Sequence, residues 1–415
     1  MNQSSSSIAT QVGLQRLSRG LALNYKLNRM LILKSFSKIN DGHITLIESD
    51  EKHAFGDPQA ELQVSISVKN NDFFSAVIFR GSLGAAEAYI RGDWECDDLT
   101  KLFRIFVKNQ SELSDLERTL AWVSRMRDRF FDRFTKNTIT GSKRNILAHY
   151  DLSNDFYKLW LDPTMTYSAG VFTHPKATME EASIEKLDRM CRILDLQSTD
   201  HLLEIGTGWG SLAIHAARVY GCKITTTTIS DQQYSLALER IKAAGLEDRV
   251  TVIQEDYRKL SGQYDKIISI EMIEAVGHRF MPDYVSAINR LLKPGGKVAL
   301  QGITINDQIY EPYRKSVDFI KKYIFPGGNL VSVSYLMETV SSFSSLRPIH
   351  LSEIGLHYAT TLQCWRDAFE KVLPEVRELG FSDEFIRLWR YYFTYCEAGF
   401  LEKHIGNVQL GFEKR

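Results

Sequence analysis

The stretch His201-Leu202-Leu203-Glu204-Ile205-Gly206-Thr207-Gly208-Trp209-Gly210 constrains this chain more than any other. Apolar residues run into an acid, and glycines then take alternate positions. Ser211 to Tyr220 follows with helical patterning. A buried strand, a tight turn without side chains and a helix N-terminus form the nucleotide-binding corner of an open α/β sheet. Glycine lets backbone approach a ligand closely, and the helix end supplies free N–H groups and positive dipole. A dinucleotide fingerprint, G-x-G-x-x-G, would space its last two glycines wider. Here the spacing is G-x-G-x-G, with Trp209 inside.

The segments around this turn extend the pattern. From residue 145 onward, strand candidates alternate with helices: His201–Ile205, Lys223–Ile229, Val250–Gln254, Lys266–Ile270 and Lys297–Ile305. That predicts a doubly wound, mostly parallel Rossmann-like sheet. Lys293-Pro294-Gly295-Gly296 reads as a turn before the last of these strands. The C-terminal stretch reads as helical and aromatic-rich, with Trp365, Trp389, Tyr391, Tyr392, Phe393 and Tyr395. At 415 residues the chain exceeds one typical core. Residues 1–110 read as a small α+β domain, with strands around Ile44–Ile47, Val64–Val68 and Ala76–Phe79 and helices over Gly81–Ile90 and Asp98–Val107. Residues 111–144 read as a charged helical connector carrying Arg125, Arg127, Arg129 and Arg133, and residues 145–415 as the catalytic domain.

Lys plus Arg equals Asp plus Glu at 51 each, so net charge points to no polyanionic partner, and no nucleic acid is expected. The distribution is uneven, however. Residues 1–40 hold Arg16, Arg19, Lys26, Arg29, Lys34 and Lys38 and no acid. Leu14 to Ile39 mixes apolar and basic residues at helical spacing. It reads equally as a helix packed on a sheet or as a basic face for an anionic membrane. The five cysteines show no C-x-x-C or Cys/His spacing, so neither a metal site nor a disulfide framework is expected. No apolar run approaches the roughly 18 residues that span a bilayer. The N-terminus lacks a secretory core. A cytoplasmic protein working at the membrane surface is the resulting expectation, and homodimeric assembly stays open.

Three further segments carry polar groups at strand ends. Thr228-Ile229-Ser230-Asp231-Gln232-Gln233 follows the second strand, where dinucleotide folds place an acid for the ribose. Hydroxyls and the Gln233 amide would do that hydrogen bonding here, while Thr228 or Ser230 caps the next helix. After the third strand, the Asp256 carboxylate can accept from an adenine amino group and Tyr257 can stack on the ring. Ile270-Glu271-Met272-Ile273-Glu274 places two carboxylates near the end of a buried strand. Either could act as general base or cation stabiliser, and the two would share one face if the segment entered a helix.

The glycine turn resembles motif I of the S-adenosylmethionine methyltransferases, where Glu204 would hold the methionine amino group. Nearly the whole chain resembles the cyclopropane fatty acid synthase family. The matching blocks are His149 to Tyr157, Leu161 to Ser168, Glu204 to Gly210, Glu271 to Gly277, Tyr358 to Leu362 and Tyr391 to Gly399. A shorter match, Gly81 to Leu99, covers the family's extra N-terminal domain. The resemblance implies methyl transfer from S-adenosylmethionine to a cis double bond of a phospholipid acyl chain, then proton loss and ring closure to a cyclopropane. It places Tyr167, Ser168, Gly206, Gly208, Trp209, Thr228, Gln233, Asp256 and Tyr257 at cofactor positions. It also implies a bicarbonate ion as base, with ligands at Glu274, Tyr358 and the backbone of Ile303. Two ligand positions depart from the pattern: Ala169 stands where a Cys is expected and Gln301 where a His is expected. Gln301 can donate through its amide but carries no charge. A displaced base could remove a different proton, giving a methylene- or methyl-branched or furan-precursor lipid.

The chemistry also sets physical demands. An alkene is a poor nucleophile, so the methyl donor must be held in line in a dry site. Aromatic faces can stabilise the cation that forms. Exposing about ten acyl methylenes to water costs on the order of 8 kcal/mol, so the enzyme must dock on the bilayer and offer an apolar path. Two rivals remain on sequence grounds: a non-catalytic lipid-binding relative and a small-molecule methyltransferase.

Overall fold

The computed structural model describes residues 25–113 and 153–415. The chain divides into two compact units, Met1–Arg127 with Asp383–Tyr391, and Asp128–Ser382 with Tyr392–Arg415. The described residues leave out Leu14–Asn24 with Arg16 and Arg19, the connector's Arg125, Arg127, Arg129 and Arg133, and His149–Leu152 of the first family block.

The first unit holds a four-stranded sheet in the order β2-β1-β3-β4. Its strands are β1 (His43–Glu48), β2 (Glu51–Gly56), β3 (Gln63–Val68) and β4 (Trp94–Cys96). Ile44 and Leu46 of β1 and Val64 and Ile66 of β3 bury alternate positions, as the two-residue period of a strand requires. The strand expected at Ala76–Phe79 is instead helix. Phe73, Phe74 and Ile78 recur at helical spacing and bury one face of Asp72–Arg91, and the helix expected from Gly81 is its second half, beyond a kink at Gly81 (φ 55°). Asp98 caps the helix Leu99–Lys108 by accepting from the backbone N–H of Lys101.

The described part of the basic N-terminal segment is the helix Tyr25–Phe36. Asn28, Ile32 and Phe36, four residues apart, are its buried face. Lys26, Met30 and Lys34 point outward. Arg29 does not join them: its guanidinium binds Glu48 at 2.9 Å and Glu51 at 2.7 Å.

The second unit is built on a seven-stranded sheet in the order β10-β11-β9-β8-β5-β6-β7. The strands are β5 (His201–Ile205), β6 (Lys223–Thr228), β7 (Val250–Gln254), β8 (Tyr264–Ile270), β9 (Leu292–Ile305), β10 (Leu346–Glu353) and β11 (Ile405–Lys414). β7, β6, β5, β8 and β9 are mutually parallel, and β11 and β10 are antiparallel additions beside β9. Helices cover both faces. Leu203 and Ile205 of β5 enter one apolar layer with Ile288 and Val298, while Leu202 enters the other with Met190, Ala213 and Ile224. This is the doubly wound fold expected from the alternating pattern.

Two expectations need correction. β9 begins before the Lys293–Gly296 turn, which bulges from the ladder: Tyr264 faces Leu292, and Lys266 next faces Lys297. The C-terminal stretch is not all helical. β11 is buried over six successive positions, so it lacks the alternation that marks a half-buried strand.

Candidate active site

The carboxyl ends of β5, β6, β7 and β8 open on one edge of the sheet, where ligands bind in folds of this kind. β5 ends in the glycine turn. Gly206, Gly208 and Gly210 all have positive φ (101°, 51° and 86°), a region that side chains rarely adopt. The N–H groups of Gly206 and Thr207 both donate to the Thr227 carbonyl at 3.1 Å, which ties the turn to β6. Gly210 is the N-cap of the helix Ser211–Tyr220. Trp209 is buried, and its indole N–H donates to Asn154 at 2.8 Å.

Glu204, the next-to-last residue of β5, precedes this turn and is 4% exposed. Its Oε2 is buried with no hydrogen-bond partner in the protein. Burial pushes its carboxyl up to about 8, with a Thr226 hydrogen bond and the Lys186 charge pulling the other way. An orphaned buried carboxylate oxygen beside the glycine turn suits an ammonium-bearing ligand, so the residues fit the methionine end of S-adenosylmethionine.

The neighbouring strand ends place the other expected residues along the same edge. Ser230, not Thr228, caps the next helix by accepting from the N–H of Gln233. The Thr228 hydroxyl donates to the Gln233 side-chain carbonyl at 2.8 Å, orienting that amide. Asp256 is more engaged than its sequence suggests. Burial alone would raise its carboxyl, but Arg258 binds both oxygens, at 2.8 and 2.5 Å, and the net direction is down. An adenine amino group would share Asp256 with that guanidinium. Tyr257 packs edge-on against Tyr284 at 5.4 Å, with Arg258 over its ring.

Tyr167 and Ser168 are both committed within the protein. The Tyr167 hydroxyl donates to that of Tyr392 at 3.0 Å. Ser168 accepts from the ammonium of Lys186 at 2.7 Å. Lys186 was not anticipated. It is 1% exposed, and burial lowers its ammonium to about 8 although Glu271, Asp162 and Glu204 hold it up. A signal existed: Lys186 stands between Ala182 and Met190 on the buried face of the helix Met179–Leu194.

The two carboxylates after β8 differ sharply from each other. The segment does not continue as an α-helix; it enters a short 3-10 turn, Ile273–Ala275. Glu274 Oε1 accepts from the N–H of Ile303, and Oε2 is buried without a partner. Burial, then the Glu271 charge, pushes its carboxyl up to about 8. Glu271 has φ 49° and is heavily hydrogen-bonded. Its Oε1 accepts from the Ala169 N–H at 3.0 Å, the Gln301 amide at 2.8 Å and the Asn407 amide at 2.7 Å. Its Oε2 accepts from the Tyr358 hydroxyl at 2.8 Å. The Gln301 amide is held in that sense because its carbonyl accepts from Gln409 at 2.9 Å.

The bicarbonate implied by the resemblance therefore does not fit. Tyr358 spends its one donor on Glu271, Gln301 turns an amide N–H to the same carboxylate, and the Ile303 N–H is spent on Glu274. A second anion at this cradle would face Glu271, whose repulsion the hydroxyl and backbone donors, already engaged, could not offset. Asn407 and Gln409, both on β11, also belong to the cradle and were not anticipated.

Aromatic rings wall this region. Tyr157 contacts Trp209 at 5.0 Å and Tyr167 at 5.3 Å. Tyr167 continues to Trp365 at 5.0 Å, and Tyr358 stacks on Phe400 at 4.6 Å. Among the described residues no group of three or more His, Cys, Asp or Glu could hold a metal ion. No helix of the described residues is long and apolar enough to cross a membrane.

A family model described as mycolic acid cyclopropane synthetase matches residues 137–410. The chain is similar to the tuberculostearic acid methyltransferase of Mycobacterium tuberculosis, 38% identical over 361 residues that cover 85% of this chain and 83% of that one. It is also similar to the cyclopropane-fatty-acyl-phospholipid synthase of Escherichia coli, 34% identical over 359 residues, 84% of this chain and 87% of that one. A crystal structure of a mycolic acid cyclopropane synthase complexed with SAH and CTAB matches with a TM-score of 0.61 at 30% identity, covering 66% of this chain and 98% of that one.

Proposed function

Because this chain belongs to the mycolic acid cyclopropane synthetase family, and is thus an S-adenosylmethionine-dependent methyltransferase, we propose that it methylates the cis double bond of an unsaturated phospholipid acyl chain and closes a cyclopropane ring. S-adenosylmethionine supplies an electrophilic methyl group on a sulfonium sulfur. Glu204 would hold its ammonium, the glycine turn would admit its backbone-hugging portion, and Gln233, Asp256 and Tyr257 would line the nucleoside side. The single observation that carries the reading is a carboxylate cluster, Glu271 and Glu274, at the end of β8 directly beside β5 and its turn. A cation forming on the acyl chain needs negative charge close by and no water. Glu271 supplies the charge, and the rings of Tyr157, Tyr167, Trp365, Tyr358 and Phe400 keep water away. A merely lipid-binding relative has no use for such a cluster.

The test is expression in a host lacking such enzymes, with mass spectrometry and proton NMR of its fatty acids. Unsaturated chains should gain one CH2 and show ring-methylene protons. Chains of unchanged mass would refute the reading.

A second product deserves the same test. The cradle holds a side chain where an exchangeable anion is implied, and a relative named for tuberculostearic acid is 38% identical. A base fixed to the backbone could take its proton from a chain carbon beside the cation, leaving a methyl-branched in-chain alkene, or, after a 1,2-hydride shift to the cationic carbon, from the transferred methyl, leaving an exocyclic methylene. Vinylidene protons in place of ring protons would establish that outcome.

Membrane docking is also proposed for the helix Tyr25–Phe36. Leu27 and Met30 are 43% and 55% exposed beside Lys26 and Lys34, a combination suited to an anionic bilayer.

A further inference from the structure

Glu271 is held in an uncommon way. Its φ of 49° lies in the left-handed region that L-residues rarely adopt. That backbone turn aims the carboxylate at donors from four separate segments, Ala169, Gln301, Tyr358 and Asn407. Such convergence on a charged group is more than a structural cap needs. The donor set also overlaps the one that the resemblance assigns to a dissolved anion.

We propose that Glu271 is this chain's own proton acceptor, a side-chain carboxylate doing the work otherwise assigned to bicarbonate. The proposal rests on the methyl-transfer reading above. Once the methyl carbon has bonded to one alkene carbon, the other carries the positive charge. Glu271 then forms an O–H bond with a proton from a carbon attached to the cationic centre or from the transferred methyl. The electron pair of the broken C–H bond closes the ring or forms a new double bond. The cation and the carboxylate are both neutralised, and the proton passes to water between turnovers.

A proton beside a carbocation is very acidic, so position and charge matter more than basicity. Hydrogen bonds on both oxygens also blunt the carboxylate as a nucleophile, protecting it from methylation by the sulfonium. Gln409 acts as a positioning residue, since its bond fixes which end of the Gln301 amide meets Glu271. Glu274, Lys186 and Tyr358 are the other titratable groups facing Glu271.

The test uses the full chain on vesicles of unsaturated phospholipid, in CO2-free buffer with and without added bicarbonate. Wild-type turnover should be the same in both. Glu271→Gln should lose about 100- to 10,000-fold in turnover, the usual scale for a general base, while keeping its cofactor affinity. Glu271→Gly removes the side chain and relaxes the backbone. Its lost turnover should be partly restored by bicarbonate. NMR with 13C-bicarbonate gives a readout independent of turnover: binding to Glu271→Gly and none to wild type. Wild-type turnover that needs bicarbonate, bicarbonate bound by wild type, or Glu271→Gln working at near wild-type rate would each overturn the proposal. A wild type that methylates no acyl lipid in either buffer strikes the functional reading instead, and the NMR arm still decides whether the cradle is filled.

Discussion

The protonation of Glu204 should govern cofactor binding. With its carboxyl near 8, about one molecule in eleven carries the ionised form at pH 7 and about one in a hundred at pH 6. An ammonium ligand pairs with that ionised form and must displace the proton first. Each pH unit below 8 thus costs about 1.4 kcal/mol of binding. Affinity for S-adenosylhomocysteine, which cannot react, should rise about ninefold from pH 6 to pH 7 and flatten toward pH 8. The ligand's own α-amino group, with an ordinary value of about 7.7–8.0, stays mostly charged between pH 6 and 7. Lys186, also near 8, stays mostly charged between pH 6 and 7. Calorimetry at pH 6.5, in two buffers of unlike ionisation enthalpy, should report about one proton released per ligand bound. Glu204→Gln should abolish both the slope and the proton release. Wild-type affinity that is flat between pH 6 and 7, with no proton released, would falsify the assignment of Glu204 as the ammonium contact.

Gly206→Val places a β-branched side chain at φ 101°, with its Cβ 3.4 Å from Met272. It should cost about 2 kcal/mol of stability by denaturant titration, and calorimetry should find cofactor affinity lost. For Glu274, whose carboxyl is raised to about 8, the folded state holds its proton more tightly than the unfolded chain. Its stabilising effect is complete below its ordinary value of 4.5 and is lost as pH rises through about 8. The melting temperature of Glu274→Gln should therefore fall less than that of wild type between pH 5 and 8; identical slopes would count against a protonated Glu274. Reversing Lys26 and Lys34 to Glu should weaken sedimentation with anionic vesicles by at least tenfold, at roughly 1 kcal/mol per lysine removed, and leave neutral vesicles unaffected. Unchanged sedimentation would make that helix face ordinary surface. Arg29 is unsuited to this test, because its reversal would break the pairs with Glu48 and Glu51.

The parts of this site that could be read from sequence are those written locally. β5 and β7 fall on their expected bounds, because apolar runs end at glycine or acidic residues. The glycine turn and Glu204 lie within one short segment, so spacing alone located them. Lys186 escaped because a lysine on an amphipathic helix ordinarily marks the wet face; only its alignment with Ala182 and Met190 marks it as buried. β11 escaped because burial on both faces erases the period-two signal, and Asn407 and Gln409 were lost with it. In the sequence Glu271 is one of two carboxylates near the end of a buried strand. Its distinction lies in donors that are 102, 30, 87 and 136 residues distant, a convergence that only the folded sheet assembles. The tie between Asp256 and Arg258 was legible in principle, since the two residues are neighbours but one.

The positive φ at Glu271 has a hereditary consequence. Glycine occupies that backbone region without strain, and every glutamate codon becomes a glycine codon through one A-to-G change at its second base. On the proposal above, a single transition mutation would exchange a base carried in the gene for one drawn from the surroundings. The chain would then depend on the CO2 tension in which its host grows. Descent from a common ancestor could cross that boundary in either direction without passing through a misfolded intermediate. The atmosphere of the habitat then becomes a selective pressure on one nucleotide.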